Sequence, residues 1–110
     1  MTPLEREILI GVLALREQFL RRDWKGEGVP NRGTWRIEIQ NARDGLVSTS
    51  GAPWNNGLDE AGRKAVSRAY ASLAAHGLII RHGDERTSFL SLTEQGEQLA
   101  RKLAEREQTR

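Results

Sequence analysis

The sequence predicts an α+β domain that is mostly helical. Three observations carry this expectation. The chain has 110 residues, the size of one compact domain. Apolar residues recur at helical spacing in three long stretches. Two short apolar runs flank a glycine-led turn at residues 83–86, the pattern of a β-hairpin. The expected order is helix, short helix, long helix, two-stranded hairpin, helix, as a single domain over residues 1–110.

Thr2, Pro3 and Glu5 open the first helix as a Thr-x-x-Glu capping box with proline at the first helical position. Leu4, Ile8, Val12, Leu15 and Phe19 follow at helical spacing, and Leu9, Leu13 and Leu20 widen the stripe. The helix is expected from Pro3 to Arg22. Its apolar face is broader than one neighbouring helix needs. Two explanations stand: a central helix touched on several sides, or a homodimer formed through residues 3–22.

Residues 23–33 hold three glycines and a proline and are expected as a loop. No Gly-Lys-Ser/Thr follows, so this is not a phosphate loop. Thr34 to Gln40 alternates like a strand, with Trp35, Ile37 and Ile39 on one face. Its place in the element order favours a short helix instead, capped by Thr34, with Ile37 as a core contact. Residues 44–57, rich in Gly, Ser and Asn, are expected as a long loop. Trp54 in its middle reads as an anchor onto the core, with contact to a partner as the alternative.

Asp59 to His76 is the clearest helix. Asp59 and Glu60 suit its positive end, and Val66, Ala69, Tyr70 and Leu73 make its buried face. Gly77 follows as a C-terminal cap. Leu78 to His82 and Thr87 to Leu92 are the expected strands, with Leu78, Ile80, Leu90 and Leu92 turned to the core and Phe89 outward or over an edge. Thr93 caps a last helix. Leu99, Ala100, Leu103 and Ala104 line one side of it, and Glu97, Arg101, Lys102, Glu105 and Arg106 make a solvated face. Glycine costs about 1 kcal/mol relative to alanine inside a helix, so Gly96 in its first turn points to close packing.

Composition narrows the function. There is no cysteine, which excludes disulfides, thiolate metal sites and a cysteine nucleophile. The two histidines, His76 and His82, supply a metal site poorly and read as surface residues. Ser67 has no histidine at a supporting spacing, and Asp59/Glu60 and Asp84/Glu85 are adjacent pairs that point in different directions, so no enzyme and no cofactor are expected. No apolar run reaches the roughly 18 residues of a membrane span. The N-terminus lacks a basic, apolar leader, which makes the cytoplasm the expected location. The net charge is +2. Residues 16–43 carry seven basic against four acidic residues, a modest excess in the first half.

Ala65-Val66-Ser67-Arg68-Ala69, Leu73, and Gly77-Leu78-Ile79 with Arg81 resemble the recognition helix and first wing strand of winged helix-turn-helix regulators. Asp84-x-Arg86 and Leu92-Thr93-Glu94-x-Gly96 resemble the wing tip and following helix of the MarR-type branch. The likeness covers about residues 59–103. It implies a three-helix core, a two-stranded β-hairpin wing and a C-terminal helix, with double-stranded DNA as partner and Arg86 reaching the minor groove or flanking phosphates. A PadR-type or stand-alone winged-helix protein is equally compatible with the long loop 44–57. The resemblance leaves a small-molecule effector undetermined.

The residues point the same way. Arg63, Lys64, Ser67 and Arg68 lie on the exposed side of the helix 59–76, where cations meet phosphates or guanine edges and a hydroxyl bonds either. Arg81 and Arg86 add charge on the hairpin 81–88. Asn55 and Asn56 are able to bond adenine or phosphate, although Asn-Asn-Gly is also a turn sequence. Ordinary solvated residues are the rival reading for each alone; the cluster beside a hairpin favours DNA. The competing function is a protein-interaction module on the same fold without DNA binding, since fold does not dictate function.

Overall fold

The computed structural model describes residues 1–21, 35–83 and 87–108. Helix α1 spans Pro3–Leu20 and α2 spans Trp35–Arg43. A two-residue strand β1 (Val47–Ser48) and a 3-10 turn (Pro53–Asn55) lead to α3 (Glu60–Ala75). Strands β2 (Ile79–His82) and β3 (Phe89–Leu92) precede α4 (Glu94–Gln108). The class is α+β and mostly helical, as expected. No helix among the described residues is long and apolar enough to cross a membrane.

The capping box of α1 forms: Glu5 N–H donates to Thr2 Oγ1 at 3.1 Å, and Thr2 N–H donates to Glu5 Oε1 at 3.3 Å. The other Glu5 oxygen accepts from Ser72 of α3 at 3.2 Å, so the same carboxylate ties α1 to α3. The helix ends at Leu20, two residues before the expected limit. Ile8, Leu9, Val12, Leu13 and Phe19 are buried. They serve a central helix that packs on α2, α3, α4, the sheet and the 3-10 turn. The breadth of the apolar stripe therefore has an internal cause. A homodimer through residues 3–22 draws no support from it.

Helix α2 forms where a helix was favoured over a strand, but its inward residues differ from the expectation. Ala42 is buried and Ile39 packs with it against Phe19 and Leu15. Ile37 is 59% exposed and is not a core contact. The reason is helical phase: Ile39 and Ala42 are three apart and share a face, and Ile37 does not lie on it. Thr34 and the loop 23–33 lie outside the described residues.

Among the described residues the sheet has three strands in the order β1-β3-β2, all antiparallel, where two are expected from the sequence. Val47 pairs with Leu90 and Ser48 with Phe89. Thr49 extends this join: its N–H donates to Ser88 O at 3.0 Å, and its buried hydroxyl lies 2.8 Å from Thr87 O and 3.1 Å from Ser88 O. Ile79 faces Leu92 and Arg81 faces Leu90 across β2 and β3. Directly opposed residues share a face, so Ile79, Leu90 and Val47 turn inward. Ile80 falls on the other face with His82, Ser91 and Phe89, and is 50% exposed rather than buried. Phe89 faces outward, one of the two placements expected for it.

The corner between α3 and β2 sets that phase. Gly77 at φ +72° follows the His76 cap. Leu78 N–H donates to Leu73 O and Gly77 N–H to Ala74 O, both at 3.0 Å, which is a Schellman motif. Leu78 is buried in this corner, and the strand begins one residue later.

Thr93 caps α4 through Gly96 N–H and also donates to Gly77 O at 2.6 Å. Gly96 lies so close to this corner that a Cβ there would sit 1.8 Å from Leu78 O. Ala100 and Leu103 face the core. Glu97 and Arg101 were expected on a solvated face, but both bind α1. Arg16 pairs with Glu97, and Arg101 bridges Glu17 at 2.9 Å and Glu97 at 3.0 Å.

Candidate nucleic-acid interface

Helix α3 presents the candidate surface because its two sides differ in kind. Asp59 caps it by accepting from Gly62 N–H at 2.8 Å. Val66, Ala69, Tyr70 and Leu73 are buried against the core. Arg63, Lys64, Ser67 and Arg68 are all exposed, with Ala71 continuing the open side. Lys64 reaches back to Glu60 at 3.5 Å, a solvated pair one turn apart. Among the described residues neither Arg63 nor Arg68 is held in an ion pair.

The 3-10 turn before α3 is pinned by Trp54, which is 4% exposed. Its indole N–H donates to the Tyr70 hydroxyl at 2.8 Å. The anchor reading of Trp54 is therefore the correct one. Asn55 donates its side-chain amide to Thr49 O at 3.0 Å, which joins the turn to the end of β1. Asn56 is exposed and caps the turn.

Asn55, Arg63, Ser67 and Arg81 line one open cleft of about 420 Å³ beside α3. Four of the eight candidate residues thus come together from three elements. Val66, Tyr70 and Thr87 complete the lining. Arg81 is exposed on β2, and its Nε donates to Thr87 Oγ1 at 2.7 Å. Lys64 and Arg68 stand on the open side of α3 and do not line the cleft; neither does Asn56. Arg86 lies outside the described residues.

Three lining residues, Val66, Tyr70 and Thr87, are not among the site residues that the sequence suggests, and two of them are polar. Tyr70 was legible only as a core residue, and it is 5% exposed. Burial raises its pKa, while the Trp54 hydrogen bond and the nearby Arg81 charge oppose the rise. The phenol is therefore protonated at neutral pH. Thr87 carries no signal in the sequence, because its role depends on where β3 pairs. His82 is half-buried and bonds Ser91 at 2.9 Å across the outer sheet face.

No family model, curated protein or solved structure matches this chain.

Proposed function

We propose that this chain binds double-stranded DNA in the cytoplasm as a winged-helix regulator, with α3 in the major groove. One observation carries the reading: Arg63, Lys64, Ser67 and Arg68 share the open side of a helix whose other side is core. An α-helix fits the major groove, and arginine matches the guanine edge or a phosphate with paired donors. The hairpin β2–β3 is the wing, and Arg81 on β2 lines the cleft beside α3. The MarR-type resemblance adds Arg86, which lies outside the described residues, as a contact to the minor groove or flanking phosphates.

The proposal departs from a full helix-turn-helix in one respect. A single 3-10 turn, pinned by Trp54, stands directly before α3 where a second helix is usual. That turn and the Asp59 cap orient α3 in place of the missing helix. The reading is of a binding protein, not a catalyst, and it involves no cofactor.

A protein-interaction module is the second reading. The exposed Ile80 and the half-buried Phe89 on the outer sheet face favour it. Selection of bound duplexes from a random pool, read with the solution mass, separates the two. DNA binding predicts an enriched sequence, bound more weakly or with relaxed preference by Arg63→Gln and by Arg68→Gln. Half-sites one helical turn apart would add a dimer. No enrichment, with a stable protein complex instead, overturns the proposal.

A further inference from the structure

We infer that the cleft between α3 and β2 is a binding site for a phosphate-type oxyanion. Its lining is rich in hydrogen-bond donors. Arg63 and Arg81 enter it from two different elements, and a guanidinium has only donors to offer. Arg81 uses Nε on the Thr87 hydroxyl oxygen, which leaves that hydroxyl its own proton to donate.

Tyr70, also in the lining, offers a further donor. The Tyr70 oxygen accepts from the Trp54 indole N–H, an atom that can only donate. The phenolic proton must go elsewhere, and among the described residues none accepts it. Tyr70 is 5% exposed and lines the cleft. A nearly buried hydroxyl with an unplaced proton, beside two cations, suits an anion with several acceptor oxygens. Asn55 spends one amide N–H on Thr49 O and keeps its second N–H as a donor beside its Oδ1 acceptor. No carboxylate lines the cleft among the described residues. A volume of about 420 Å³ leaves room for the ester groups of a nucleic-acid phosphate.

Free phosphate and a duplex phosphodiester share this chemistry. As a duplex contact the site rests on the DNA-binding reading; as a site for free phosphate it does not. The test uses the full chain labelled with nitrogen-15. Potassium phosphate is titrated against potassium chloride at matched ionic strength, and the Arg63 and Arg81 Nε–H signals are followed. Saturable shifts with phosphate alone are expected, weakened about tenfold in Arg63→Gln or Arg81→Gln. Lys102→Gln on α4 should leave them unchanged. In the second arm, single uncharged methylphosphonates are placed along a bound duplex. One or two positions should weaken wild-type binding and lose their effect in Arg81→Gln.

A positive result in either arm supports the site and names its source. If the duplex binds with no such position and phosphate gives no saturable shift, the site is overturned and DNA binding stands. If phosphate binds and duplex does not, DNA binding is overturned and the site stands. If neither phosphate nor duplex binds, both are overturned.

Discussion

Trp54 donates its indole N–H to the Tyr70 hydroxyl at 2.8 Å, between two side chains that are both buried. This bond fixes the 3-10 turn to the centre of α3. It joins the core directly to the helix that carries the candidate interface.

Tyr70→Phe tests that bond. The variant leaves a buried indole N–H without its acceptor, at a cost of about 1–3 kcal/mol. Urea denaturation should show the midpoint falling with little change in slope. An unchanged midpoint would mean that the bond contributes nothing net.

Two glycines are close-approach positions, and they should respond differently to alanine. At Gly96 a Cβ would meet the Leu78 carbonyl oxygen at 1.8 Å, and only a backbone shift relieves it. Gly96→Ala should cost about 3 kcal/mol. At Gly11 the Cβ would meet Cζ3 of the Trp54 ring at 2.5 Å. That ring can move by giving up the Tyr70 bond. Gly11→Ala should therefore cost about 2 kcal/mol and change the Trp54 fluorescence, whereas Gly96→Ala should change stability first. Equal, negligible losses in thermal melts would contradict the close packing.

The clamp between α1 and α4 should be lost in acid. The hydrogen bond from Arg16 holds the Glu97 carboxyl below its ordinary 4.5, against partial burial and with help from Arg101. A lowered folded-state pKa stabilises above the ordinary value, and the contribution disappears as pH falls through the lowered one. Glu97→Gln should lower the melting temperature by a few degrees at pH 7. The gap to wild type should close below pH 4.5. A gap that persists at low pH would place the effect in packing instead of charge.

Much of the fold was legible because its signals are local. Thr2 with Glu5, Asp59, Gly77 and Thr93 each mark a helix end within a few residues, and each does so in the structure. Strand β1 was not legible. Two residues have no periodicity, and Val47 becomes a strand only by pairing with Leu90, forty-three positions away. Ile80 was misplaced for a related reason: alternation gives a period but not a phase, and the Gly77–Leu78 corner sets the phase. The cations of the candidate interface could be read from helical spacing. The cleft could not, because Arg63, Tyr70, Arg81 and Thr87 meet only after β2 docks beside α3.

The salt dependence of duplex binding tests the central claim most directly. Affinity for a selected duplex is measured by polarisation across a salt series, for wild type and for Arg63→Gln, Lys64→Gln and Arg68→Gln. Wild-type affinity should fall steeply as salt rises, through counterion release. Each substitution at a phosphate contact should reduce the log–log slope by about one, and one at a base contact should relax sequence preference instead. Flat binding across the salt series, or slopes that none of the three substitutions moves, would contradict α3 as the DNA-binding helix.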